Sequence, residues 1–108
     1  MPFTVWLTDD AARDLSELCD YITANHGTAE ADYVLGRIEH AFFGLSDSPE
    51  RGAYPKELLT LGIREYREVF FKPYRIVYRI VGENVFVLLI ADGRRDLQTL
   101  LQRRLLEA

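Results

Sequence analysis

The residues of this chain with the most chemistry in them are its arginines. They crowd its later part: Arg64, Arg67, Arg75, Arg79, Arg94, Arg95, Arg103 and Arg104. Arg75 and Arg79 lie four residues apart in an alternating run, so both point to one side of a strand. Arg94 and Arg95 follow where the next apolar run ends. If the two runs are neighbouring strands, four guanidiniums converge on one groove. Guanidinium forks suit phosphates and carboxylates alike. The competing reading is a solvated polar face, with the arginines paired to Glu65, Glu68 and Glu83.

Cleavage of RNA at a 2′-hydroxyl needs a Lys, His, Glu or Tyr beside such a groove. Both histidines, His26 and His40, lie far upstream, and no His or Tyr follows Tyr78. Tyr66, Glu68 and Tyr74 remain as candidates, although Tyr74 and Tyr78 read as core aromatics. There is no GxSxG motif for acyl chemistry and no glycine loop for a nucleotide. The single cysteine, Cys19, has no CxxC partner, and neither histidine has a second His or a Cys at i+4. No metal and no cofactor is expected. Cys19 falls on an apolar helical stripe and reads as a core thiol.

The elements that must position these groups can be read from periodicity. Residues 3–7 form a short strand. Thr8 or Asp9 caps a helix whose apolar positions are Ala11, Leu15, Leu18, Cys19 and Ile22. Gly27 ends it in a left-handed conformation, and Thr28 caps a second helix. Val34, Ile38, Ala41, Phe42 and Leu45 are the buried stripe of that second helix, and the pair forms a tight hairpin. Residues 46–55 are a loop, and Lys56 to Leu61 form one helical turn. The period then falls to two. Strands are expected at 63–71, 74–81 and 85–91, the last apolar on both faces and therefore central. Asp96 caps a final helix bearing Leu97, Leu100, Leu101 and Leu105.

The predicted architecture is α+β over residues 1–108: a small antiparallel sheet, an N-terminal helical hairpin on one face, and a C-terminal helix. Tyr74, Ile76, Tyr78 and Ile80 should pack under the hairpin, leaving Arg75 and Arg79 in water. The final helix is more apolar than one buried stripe requires, so part of it is available to a partner.

Composition narrows the function classes. The 108 residues carry 13 Lys plus Arg and 17 Asp plus Glu, a net charge of −4. An acidic chain does not coat nucleic acid by bulk charge, so no direct DNA binding by this chain alone is expected. The charge is unevenly placed. Residues 1–50 hold ten acids and two bases, whereas residues 51–108 hold seven acids and eleven bases. Neither a signal peptide nor a membrane-spanning run is visible, and a cytoplasmic location is expected.

The runs Pro73-Tyr-Arg-Ile-Val-Tyr-Arg-Ile, Val85-Phe-Val-Leu-Leu-Ile and Gly93-Arg-Arg-Asp-Leu, with a Leu-rich end, resemble the RelE/ParE superfamily of type II toxins. The likeness includes the loop Ser48-Pro-Glu-Arg-Gly and covers essentially the whole chain. It implies a toxin neutralised by direct binding of a cognate antitoxin in a hetero-oligomer. RelE-like members cleave messenger RNA on the ribosome, whereas ParE-like members, the plasmid stabilisation proteins, poison DNA gyrase. The chain resembles the ParE side. It is acidic rather than basic, it reads Glu65-Tyr66-Arg67-Glu68 where nucleases carry bases, and it lacks a C-terminal His or Tyr. The resemblance thus implies a gyrase-binding protein rather than an enzyme. Its motif residues are Tyr74, Tyr78, Arg94, Arg95 and Asp96. The face of Arg75 and Arg79, with Leu97, Leu101 and Leu105, would meet the antitoxin. As a RelE-type endonuclease, the chain would instead use Arg75, Arg94 and Arg95 with Tyr66 and Glu68.

Overall fold

Thr8 opens the first helix as expected: its hydroxyl accepts a hydrogen bond from the Ala11 amide, and Asp9 and Asp10 occupy the first turn. The computed structural model describes residues 2–106. Helices α1 (Asp9–His26) and α2 (Thr28–Phe43) are separated by Gly27 alone. Its φ of 92° is open to glycine but costly to other residues. Its N–H donates to Thr23, and its carbonyl accepts from Ala31. Gly27 therefore serves both helices, and Thr28, expected to cap α2, is instead its first residue.

Strands β1 (Thr4–Leu7), β2 (Tyr66–Phe71), β3 (Tyr74–Val81) and β4 (Asn84–Asp92) form one sheet in the order β1-β4-β3-β2. The meander β2-β3-β4 is antiparallel, and β1 adds parallel to β4, so the sheet is mixed. Ile63, Arg64 and Glu65, expected at the start of this strand, fall outside β2. The Ile63 amide donates to the Leu58 carbonyl, which closes the end of the short helix α3 (Lys56–Leu59).

The hairpin packs on one face. Ile38, Phe42 and Leu45 meet Ile76, Tyr78, Val85, Val87 and Ile90 there, each burial worth about 1.5–3 kcal/mol. Cys19 is half-buried at the margin of α1; burial and the charges of Asp20, Glu39 and Asp32 push its thiol up, away from reactivity.

The second face is not left to water. Helix α4 (Leu97–Leu101), continued by a π-helical turn (Gln102–Leu106), crosses it together with α3. Leu58, Leu97 and Leu101 cover Val77, Leu89 and Ala91 in a second apolar cluster. A bulge makes this possible. Val77 pairs with Leu89 and Tyr78 with Val87, so Leu88 is the extra residue. Before it, Val85 and Val87 face the hairpin; after it, Leu89 and Ala91 face α4.

Candidate functional site

The expected four-arginine groove does not form. Arg75 is only 8% exposed, and Glu68 only 5%. Strand β3 carries Arg75 onto the second face, beneath α3. There Nε donates to Glu68 Oε1 at 2.7 Å, and the two terminal nitrogens donate to the two oxygens of Glu57, each at 2.7 Å. The fork is thus fully engaged by two carboxylates. Hydrogen bonding from Arg75 holds the Glu57 carboxyl below its usual range, and the Arg75 guanidinium is held above its own. A Cβ on Gly93 would lie 2.9 Å from the Arg75 side chain, so the glycine of the Gly-Arg-Arg-Asp turn fits against this arginine. The solvated position expected for Arg75 is corrected by the cover that α3 provides.

The other arginines are dispersed. Arg79, on the same face of β3, is exposed and stacks over Tyr66 with its guanidinium carbon 5.9 Å from the ring. Arg94 folds back on Asp92, with Nε donating to Oδ1 at 2.9 Å, and depresses the Asp92 carboxyl. Arg95 is exposed beside it. Asp96 caps α4 by accepting from the Thr99 amide at 3.1 Å.

Leu97 and Leu101, expected to face a partner, are 2% and 1% exposed and fill the second core. Leu105 is partly buried against the same cluster, and the side chain of Leu106 lies outside the described residues. The sheet face is apolar beneath α4, so these leucines turn inward. Tyr78 is fully buried on the hairpin face. Its hydroxyl donates to the Pro49 carbonyl and accepts from the Gly52 amide. A Cβ at Gly52 would come within 2.5 Å of that hydroxyl, which gives Ser48-Pro-Glu-Arg-Gly a packing role. Tyr74 is half-buried beside Phe71, with ring centroids 6.5 Å apart.

Two groupings escaped the reading of the sequence. Arg104 reaches across to α1: it donates to both oxygens of Asp14, at 2.9 and 3.0 Å, and to the Leu88 carbonyl at 2.7 Å. Asp14 also accepts from the Ile90 amide, so the pair seals the edge of β4 beyond the end of β1. The acidic first half and basic second half are joined at this point. The second grouping is a cleft of about 430 Å³ between α1 and the end of β4. Tyr21 and His26 line it opposite Tyr74, Arg94 and Arg95, with Asp14, Glu17 and Asp92. The only hint in the sequence was that Tyr21 and His26 lie on α1 near its end. Three carboxylates against two guanidiniums make this cleft a weak seat for phosphate.

Residues 5–97 match the family described as the ParE toxin of the type II toxin-antitoxin system parDE. Toxin ParE3 of Caulobacter vibrioides is 33% identical over 97 residues, covering 90% of this chain and 93% of that protein. Among solved structures, the chromosomal ParDE toxin-antitoxin system of P. aeruginosa superposes with a TM-score of 0.70 at 22% identity, over 83% of this chain and 95% of the other. The RelBE2 toxin-antitoxin complex of Mycobacterium tuberculosis gives a TM-score of 0.58 at 28% identity, over 85% and 99%.

Proposed function

Because this chain belongs to the ParE toxin family of type II toxin-antitoxin systems, we propose that it arrests growth by binding a protein target, DNA gyrase, and that direct binding of a cognate antitoxin neutralises it. The observation that carries the choice of a protein target is the state of Arg75. A phosphoryl-transfer site needs guanidiniums free to meet charge that develops on the phosphate. Arg75 is already matched by Glu57 and Glu68 under cover of α3. Arg94 is matched by Asp92. Glu68, the candidate base, is buried in the same ion cluster, and Tyr66 lies beneath Arg79 and does not line the cleft. The groups that a nuclease would gather are therefore separate or neutralised. The gyrase assignment itself follows from the resemblance to ParE-like toxins.

A second reading, ribosome-dependent cleavage of messenger RNA, draws its support from the cleft where His26 and two tyrosines face Arg94 and Arg95. One experiment separates the two. Purified protein is added to a gyrase supercoiling reaction and to a translating extract. The expected result is inhibited supercoiling with intact messenger. Cleaved messenger with unaffected gyrase, lost on His26→Ala, would transfer the function to the second reading.

A further inference from the structure

Helices α3 and α4 cover only part of the second sheet face. At the other end, cross-strand partners form one row: Trp6 opposite Phe86, Phe86 opposite Arg79, and Arg79 opposite Tyr66. Directly paired residues share a face. Trp6 is 52% exposed, yet its ring is held in place because Nε1 donates to Asn84 Oδ1 at 2.9 Å. Beside the row is a notch of about 270 Å³ lined by Arg64, Glu65, Arg67, Arg79 and Ile80. Among the described residues, none of its three arginines meets a carboxylate within 4.0 Å. Arg67 is held instead by the Glu50 and Gly52 carbonyls and by the Tyr54 ring. Three guanidiniums against one carboxylate give the notch a net positive lining that favours an anion.

We propose that this end of the sheet is the seat of an acidic segment of the antitoxin, one carboxylate entering the Arg64–Arg79 notch and apolar side chains lying across Tyr66, Phe86 and Trp6. The proposal rests on neutralisation by direct binding, as set out above. Charge selects a peptide over a nucleic acid. The chain carries −4 overall, which repels a long polyanion, whereas a single carboxylate inside the notch lies within a Debye length, about 8 Å, of all three arginines. The row crosses three strand spacings, about 14 Å, the reach of about four extended residues. The exposed ring of Trp6, continued by the half-buried Phe86 and Tyr66, suits a partner that stays seated, since lasting interfaces have apolar centres.

The test is calorimetric titration of the toxin with its full-length cognate antitoxin. Arg79→Glu and Arg64→Glu should each weaken binding about tenfold with melting unchanged, and Arg79→Lys should restore most of the loss. The weakening should shrink as salt is raised. Affinity within twofold of the parent for both reversals, with unchanged melting, overturns the assignment. So does a charge reversal that abolishes binding of an oligouridylate probe, or abolishes self-association, while leaving the antitoxin unaffected. If the parent protein itself does not bind the antitoxin, the neutralisation reading fails before this surface is reached, and the two failures are thereby distinguished.

Discussion

Arg75 and Arg79 stand on one face of one strand, four residues apart, in opposite surroundings. Arg75 lies beneath α3, with all three of its donor nitrogens on Glu57 and Glu68. Arg79 lies in the open, with only the Tyr66 ring beneath it. The strand treats them identically; what covers the strand does not. A buried guanidinium must bring its counter-charges with it, because an unpaired ion inside a protein costs several kcal/mol. An exposed one has no such requirement and keeps its donors for another molecule. The two ends of this face thus divide the labour, one holding the domain together and the other presenting charge.

The contrast can be tested most severely at Arg75. Arg75→Ala leaves Glu57 and Glu68 buried without their cation, and the stability measured by urea denaturation should fall by about 3–5 kcal/mol. A loss below about 0.5 kcal/mol would place Arg75 with ordinary surface residues and erase the distinction.

A smaller effect sharpens the account of the pair. The Glu57 carboxyl is held low in the folded protein by Arg75. Its ionised form therefore stabilises the fold fully above the unfolded value of about 4.3, and that contribution is lost as pH falls through the folded value. The stability gap between the parent and Glu57→Gln should be wide at pH 6 and narrow progressively toward pH 3. A gap that is constant with pH would mean that Glu57 acts by packing alone. The smallest effect belongs to Arg79. Arg79→Ala should change unfolding stability by no more than about 0.5 kcal/mol. A larger loss in thermal melting would show that both ends of the face are structural.

Much of this arrangement was legible beforehand. The period of 3.6 located the hairpin, and the expected stripe of Val34, Ile38, Ala41, Phe42 and Leu45 is buried throughout. Strand β3 begins and ends at the expected residues, and Asp96 caps the last helix. The pairing of Arg75 with Glu68 was one of the two readings and is present; its burial was not legible, because its other partner, Glu57, comes from a short helix whose position depends on loop geometry. Periodicity says which way a side chain points but not what will lie over it. One sign was available: the run from Val85 to Ala91 is apolar on both faces, and a strand of that kind needs two covers. The parallel pairing of β1 with β4 left no local trace either, since it joins segments about eighty residues apart.

The extra residue at Leu88 acts as a phase shifter. A strand keeps its two sides in strict alternation, and one inserted residue exchanges them from that point on. Without it, Leu89 and Ala91 would point toward the hairpin and Ile90 toward α4. The Asp92–Asp96 turn would then leave the strand rotated by half a period, and α4 would set off from the wrong side of the sheet. Deleting Leu88 is therefore a larger change than deleting one leucine: it turns Leu89, Ile90 and Ala91 each toward the wrong interior with no alteration in composition beyond that single residue.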